Sequence, residues 1–128
     1  LAGAVIVSTP QDLALIDARK GLNMFRKVNV PLLGIIENMS HFTCTTCGTR
    51  HEVFGCGGAK AEAIKLGVPF LGEIPLEMII RSTSDSGEPI VASHPESLHA
   101  AHYLSIASKV MELLEKKAKK SGPKIIIE

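Results

Sequence analysis

The sequence predicts an α/β fold, namely one half of a doubly wound domain with a parallel sheet. Three short apolar runs alternate with amphipathic or alanine-rich stretches, an order that builds right-handed crossovers and a parallel sheet covered on both faces. The 128 residues, 45% hydrophobic and 21% charged, have the balance of a globular domain or a large part of one. A three-stranded sheet would leave a strand edge and apolar surface uncovered, so we expect the chain to be part of a larger sheet.

The first strand, helix and strand are predicted from period and residue type. The run from Ala4 to Val7 is apolar and β-branched, and Ser-Thr-Pro follows it, which is typical of a buried parallel strand. From Gln11 to Lys27 apolar residues recur at steps of three and four, which predicts a helix with one buried stripe. That stripe consists of Leu15, Ala18, Leu22 and Phe25. A second strand is predicted over 32–36, after Pro31.

The second half of the chain continues the alternation. We predict an alanine-rich helix from Gly57-Gly58 to about Leu66, a strand over 70–74, a short helix over 78–84, a brief extended segment over 89–91 and a last helix from about Pro95. The inward residues predicted for the last helix are Leu98, Tyr103, Ala107, Val110 and Leu114. We assign residues 1–115 to the domain and expect the Lys-rich tail, 116–128, to be disordered.

Residues 38–56 form an insert without any period, long for a connection between a strand and a helix, which indicates a function of its own. It contains Cys44-Thr-Thr-Cys47-Gly48. Two thiolates at a two-residue spacing can bind one metal, and the glycine lets backbone amides approach the sulfurs. The chain has three cysteines in all, an odd number that favours a reducing compartment over a disulfide scaffold.

Three kinds of site compete for this motif. A redox dithiol would have its first cysteine at a helix N-terminus, but no helical pattern follows Cys47. A zinc-stabilised binding module could use Cys44, Cys47, His51 and Cys56, which spell C-x2-C-x3-H-x4-C. An iron–sulfur cluster would need a second chain, because two cysteines supply half of a four-thiolate shell.

Two further candidates lie just after predicted strands, where open α/β sheets bind ligands. Asn38 follows the second strand, and its amide can donate and accept hydrogen bonds at once, which suits the edge of an adenine. The alternative is a turn-forming asparagine. Pro75 follows the third strand, where it either ends the strand or fixes a loop against a planar base.

Composition argues against two classes of partner. A net charge of +1, 4% aromatic residues and no tryptophan give no basis for nucleic-acid binding. The apolar runs are far shorter than the roughly 20 residues of a membrane span. We therefore expect no nucleic-acid partner and no membrane-spanning segment.

Read together and in order, the motifs resemble the Mrp group of P-loop ATPases, with MinD-like relatives. The resemblance covers Gly3 to Leu114. The matching segments are Val7 to Asp12 (VSTPQD), Asp17 to Gly21 (DARKG), Gly34 to Ser40 (GIIENMS), Cys44 to Cys47, Phe54-Gly55 with Gly57 to Ala59, Gly72 to Pro75, and Arg81 with Gly87 to Val91. The fold implied is the C-terminal half of a doubly wound parallel-sheet P-loop NTPase domain.

The resemblance also implies roles for single residues. It implies a homodimer, joined through the CxxC region, that holds a [4Fe–4S] cluster between its subunits on Cys44 and Cys47 of each chain. Asn38 matches the residue that reads the adenine of ATP, and Pro75 falls in the loop that borders the base. Cys56 falls at a variable position of the family pattern, so no ligand role is carried onto it.

For the whole protein, the resemblance implies an iron–sulfur cluster carrier or assembly factor that serves apo client proteins. The family's phosphate-binding loop lies upstream, and no G-x-x-x-x-G-K-[ST] occurs here, so we expect ATP hydrolysis only in a longer parent. The opening at Leu1 instead of Met agrees with a fragment. Met24 to Val28 and Pro95 to Ser97 are most similar to the mitochondrial NUBPL branch, which serves respiratory complex I. The mitochondrial matrix is therefore the first expected location, and the bacterial cytoplasm the second.

Overall fold

The computed structural model describes residues 1–120, in which strands and helices alternate as the sequence predicts. In chain order the elements are β1 (Ala4–Ser8), α1 (Asp12–Lys27), β2 (Leu32–Asn38), β3 (Phe42–Thr43), β4 (Arg50–His51), α2 (Gly58–Leu66), β5 (Phe70–Ile74), α3 (Met78–Asp85), α4 (Ile90–Ser93) and α5 (Leu98–Lys120).

The three longer strands form a parallel sheet in the order β1-β2-β5. Ser8 pairs with Glu37, and Glu37 pairs with Glu73, so the carboxyl ends of all three strands meet at one rim. The two-residue strands β3 and β4 form a separate antiparallel ladder inside the insert. The predicted α/β fold with a parallel sheet is confirmed.

Helices cover both faces of this sheet. On one face α1 and α2 pack against a core that includes Leu22 and Ile35. On the other face α5 packs Ile106 against Leu71. The sheet is thus the middle of three layers, as in a doubly wound domain. Its edge strand β1 leaves Val7 58% exposed.

The stripe predicted for α1 is confirmed. Leu15 and Leu22 are buried, and Ala18 and Phe25 pack against the same cluster. Arg26 and Lys27 lie in the last turn of the helix, where cations stabilise the negative end of its dipole.

The extended segment predicted over 89–91 is wrong, because Ile90–Ser93 forms the short helix α4. The Pro89 carbonyl accepts hydrogen bonds from the N–H groups of Ala92 and Ser93, which closes a helical turn. Proline favours the start of a helix since its ring fixes φ and no N–H is needed there. The β-branched pair after the proline favours a strand by residue type, but the hydrogen-bonded turn that starts at Pro89 makes the segment helical.

Three features of α5 differ from expectation: its start, its inward residues and its end. It begins at Leu98 rather than near Pro95, and Leu98 is 82% exposed and Ala107 is exposed, although both were predicted to point inward. The buried residues are instead Ala100 and Ile106. The helix extends to Lys120, so the first five residues of the predicted tail are helical. The remainder of that tail, 121–128, lies outside the described residues. No helix within 1–120 is both long and apolar enough to cross a membrane.

Candidate functional site

The cysteine motif occupies the tip of a small hairpin. Phe42 pairs with His51 in the β3–β4 ladder, and their rings stack with centroids 6.3 Å apart. At the tip the Cys44 N–H donates to the Thr49 carbonyl (2.9 Å), and the Gly48 N–H donates back to the Cys44 carbonyl (2.8 Å). Gly48 has φ +72°, a left-handed conformation that glycine adopts without strain. The sequence thus folds into a tight loop that carries both cysteines.

The two thiols of this tip differ in environment. Cys44 is half-buried and Cys47 is exposed. The Cys47 thiol hydrogen-bonds to Thr49 Oγ1 (3.2 Å), and this bond, with smaller contributions from the Thr49 backbone and from Cys44, lowers the pKa of Cys47. A lower pKa favours the thiolate, which is the form that binds metals.

Cys56 lies in a different environment. Its thiol is exposed, and hydrogen bonding to the Glu52 carboxylate raises its pKa, which disfavours the thiolate. Among residues 1–120 no three His, Cys, Asp or Glu side chains lie close enough together to hold a metal ion. The structure therefore does not assemble the zinc shell considered above, in which His51 and Cys56 would join the two tip cysteines.

The insert is anchored where it leaves β2. The Ser40 N–H donates to the Ile74 carbonyl (3.0 Å), and the Leu76 N–H donates to the His41 carbonyl (2.6 Å). Ser40 is 1% exposed, and its hydroxyl donates a second bond to the Ile74 carbonyl (3.3 Å). The chain that enters the hairpin therefore runs beside the chain that leaves β5.

The insert is anchored again where it enters α2. The Glu37 side chain, 1% exposed, accepts hydrogen bonds from the N–H groups of Ala59 (2.8 Å) and Gly57 (3.3 Å). A carboxylate at this place satisfies helix N–H groups that lack partners and favours the positive end of the helix dipole. Gly58 admits no side chain, because a Cβ there would lie 2.5 Å from the Pro10 carbonyl oxygen.

Sequence reasoning did not single out Glu37. One signal was available, because Glu37 is the only charged residue of β2 and follows five apolar ones, and a buried carboxylate requires a partner. The partner is 20 or more residues away along the chain, and no local pattern indicates it.

Asn38 and Pro75, predicted separately, line one groove of about 240 Å³ at the rim of the sheet. Asn38 Oδ1 accepts a hydrogen bond from its neighbour's N–H, that of Met39 (3.0 Å). This bond reaches the next residue and not the one after it, so it does not close the turn weighed as an alternative, and it leaves the amide N–H donors available for a ligand. The groove is also lined by Leu76, Glu77, Ile80, Arg81 and Tyr103, which sequence reasoning did not assign to a site.

Comparison with known proteins identifies the family. Residues 1–111 match the ParA-type family described as "NUBPL iron-transfer P-loop NTPase". The chain belongs to this family. The family identification made from the motifs, and the fold class that it implied, are both confirmed.

Individual relatives of this NUBPL-type family agree. The chain is 52% identical over 115 residues to the mouse "Iron-sulfur cluster transfer protein NUBPL", an alignment that covers 90% of this chain and 36% of that protein. It is 51% identical, again over 115 residues, to the Arabidopsis thaliana "Iron-sulfur protein required for NADH dehydrogenase, mitochondrial", which covers 90% and 37%. The chain thus spans little more than a third of the length of these relatives.

Two solved structures resemble the fold. A nucleotide-binding protein from Archaeoglobus fulgidus, solved in complex with ADP, superposes with a TM-score of 0.59 and 41% identity over 68% of this chain and 36% of that chain. The cell division ATPase MinD from Pyrococcus furiosus superposes with a TM-score of 0.69 and 24% identity, over 88% of this chain and 43% of its own. The second likeness concerns the fold alone.

Proposed function

We propose that this chain belongs to an iron–sulfur cluster carrier in which Cys44 and Cys47 hold a [4Fe–4S] cluster as cargo. The observation that carries the proposal is the hairpin tip, which brings two cysteines together with no third ligand near them in residues 1–120. Two exposed or half-exposed thiols on one loop form half of a four-thiolate shell. The names of the mouse and Arabidopsis relatives support the same chemistry.

The second half of the shell comes from another copy of the chain in this proposal. Two hairpin tips that face each other would supply four thiolates, and the cluster would lie at the seam between the subunits. Separation of the subunits would then remove two of the four ligands at once. Such a site holds a cluster that can leave for an apo client protein, which suits a carrier better than a closed one-chain site.

Anaerobic reconstitution of the complete gene product that contains residues 1–128 tests this proposal. The wild type should hold about four irons per pair of chains, and Cys44→Ser and Cys47→Ser should each abolish the bound iron. Cys56→Ser and His51→Ala are the matched controls, since they remove the two residues that only the zinc site needs. Retention of iron in both controls supports the cluster. Monomers with one tightly bound zinc each, lost in both controls, would refute it.

We further propose that the groove at Asn38 and Pro75 holds the base of ATP. Its volume, about 240 Å³, suits a base better than a whole nucleotide, since ligand pockets are commonly about 300–1,000 Å³. The phosphates require a cradle, and the sequence contains no G-x-x-x-x-G-K-[ST] motif. On this proposal residues 1–128 contribute the base site, and hydrolysis depends on a phosphate-binding segment outside them.

The role of Asn38 is tested by ATP affinity in the same gene product. Asn38→Ala should weaken ATP binding by about 1–3 kcal/mol, because a base edge loses its hydrogen-bond partner. GTP should bind the wild type more weakly than ATP. The matched control is Asn23→Ala, on an exposed position of α1, which should leave the affinity unchanged. Equal ATP affinity in wild type and Asn38→Ala would contradict the adenine site.

We propose respiratory complex I as the client and the mitochondrial matrix as the compartment. The name of the Arabidopsis relative, which joins an iron–sulfur protein to NADH dehydrogenase and to mitochondria, supports both. The alternative compartment is the bacterial cytoplasm. It is supported by the likeness of this chain to bacterial carriers such as that of Escherichia coli, with 50% identity over 110 residues. Transfer of a labelled cluster to apo complex I subunits, compared with an unrelated apo ferredoxin, tests the client.

A further inference from the structure

The cysteine hairpin and the adenine groove meet at one junction. Ser40 and His41 lie between Asn38 and the first hairpin residue, Phe42. Two backbone hydrogen bonds join this stretch to the chain on either side of Pro75, from Ser40 N–H to Ile74 O (3.0 Å) and from Leu76 N–H to His41 O (2.6 Å). The loop that borders the groove is thus bonded directly to the segment from which the hairpin starts.

One side chain at this junction lies close to both ends of the hairpin. Glu73 Oε1 lies 4.0 Å from Arg50 Nη2 and 4.0 Å from His41 Nδ1, the nitrogen that also lies 2.9 Å from Ser40 Oγ. His41 directly precedes β3, and Arg50 is the first residue of β4, three positions after Cys47. Glu73 itself is the fourth residue of β5, two positions before Pro75. It therefore contacts both ends of the hairpin from the strand that leads into the groove.

The contact between Glu73 and Arg50 contributes little to the stability of the fold. The Glu73 and Arg50 side chains are 37% and 47% exposed, and ion pairs at such positions contribute little to stability. The β3–β4 ladder, however, consists of only two residue pairs, so its own hydrogen bonds hold its orientation weakly. A weak contact can set the orientation of so small an element without contributing much to the free energy of unfolding.

We propose that Glu73 is a positioning residue that couples occupancy of the groove to retention of the cluster on the hairpin. This inference rests on the proposed function. A base bound against Pro75 and Leu76 restricts the motion of that loop. The backbone hydrogen bonds at the junction and the Glu73 side chain then restrict the motion of His41 and Arg50. The hairpin then loses freedom to reorient, so the bound nucleotide slows release of the cluster.

The test measures cluster release from the complete gene product, reconstituted anaerobically. An excess of a ferrous iron chelator captures the iron, with and without a non-hydrolysable ATP analogue. In the wild type the analogue should slow release about fivefold or more, which is the lower end of ordinary coupling between sites. Glu73→Gln, which keeps the shape and removes the charge, should reduce the effect to about twofold or less, while the iron content and the affinity of the apo protein for the analogue change by less than about twofold.

Linkage and a matched variant distinguish positioning from general damage. If the analogue strengthens binding of the cluster at equilibrium, linkage requires that it bind the cluster-loaded wild type more tightly than the apo form, and Glu73→Gln should remove that difference. Glu52→Gln is the control, since Glu52 lies 3.9 Å from Arg50 Nε but belongs to the hairpin and not to β5. It should keep the full effect of the analogue. Arg50→Gln should match Glu73→Gln, and the double variant should lose no more than either single one.

The outcomes separate the two proposals. A wild type that holds iron and binds the analogue but releases iron at the same rate with and without it would overturn the coupling and leave the proposed function standing. An undiminished effect in Glu73→Gln would overturn the role of this residue in the same way. A wild type that holds no iron would overturn the proposed function and this inference together.

Discussion

The insert has two parts that differ in almost every physical respect. At its root, where residues 37–41 and 57–59 connect it to the sheet and α2, the side chains of Glu37 and Ser40 are 1% exposed and hydrogen-bonded. Its tip, residues 44–49, is exposed apart from half-buried Cys44. The root therefore contains buried, hydrogen-bonded side chains, whereas the tip is a surface loop.

The root and the tip therefore differ in role, because the root places the hairpin and the tip carries the thiols. The root fixes where the hairpin stands relative to the sheet and the groove, and it does so with buried bonds that are costly to break. On the proposed function the tip presents thiols that exchange a cluster, and burial there would obstruct its release. We therefore expect substitutions at the root to change stability, and substitutions at the tip to change thiol chemistry while the fold persists.

The largest effect is expected at Glu37. Glu37→Ala would leave the N–H groups of buried Ala59 and half-buried Gly57 without an acceptor, and the loss of a buried acceptor costs about 1–3 kcal/mol. We expect the complete gene product to lose about 2–4 kcal/mol of unfolding free energy, measured by urea denaturation. Glu37→Gln retains an acceptor oxygen and should lose less than half as much. Equal stability of Glu37→Ala and wild type would show that the root does not hold the insert.

A smaller effect is expected at Ser40. Ser40→Ala removes a hydroxyl that lies within hydrogen-bond distance of His41 Nδ1 (2.9 Å) and of the Ile74 carbonyl (3.3 Å). It leaves the backbone bond to Ile74, so about 1 kcal/mol should be lost. Ser108→Ala is the matched control, because its hydroxyl also bonds to a carbonyl, that of Leu104, but on an exposed helix face. It should be neutral within about 0.5 kcal/mol. A similar loss in both variants would contradict the contrast between buried root and exposed surface.

The same contrast explains what the sequence could predict. The parallel strands and the stripe of α1 follow from hydrophobic period, because a long element repeats its signal many times. The tip cysteines and Asn38 are predicted as candidate site residues because they lie in recognisable motifs. Strands β3 and β4 have two residues each, too few for any period to appear. The bonds of Glu37 to α2 and of Ser40 to Ile74 join residues 20 or more positions apart, and local sequence does not encode such pairs.

The smallest effect on stability, and a distinct effect on chemistry, is expected at the tip. Thr49→Val removes the hydroxyl that hydrogen-bonds to the Cys47 sulfur, on an exposed loop where substitutions change stability by about 0.5 kcal/mol or less. That bond lowers the pKa of Cys47 below its ordinary value of 9.0, so its loss should raise the pKa and shift the pH profile of Cys47 alkylation upward. Below pH 9 the apo protein should then react more slowly with iodoacetamide, because less of the thiol is ionised.

Cys56 is an internal control, since its pKa is raised by Glu52 and not set by Thr49, and its profile should stay in place. A shift of both cysteines, or a loss of stability as large as that of Glu37→Ala, would mean that tip and root are not independent.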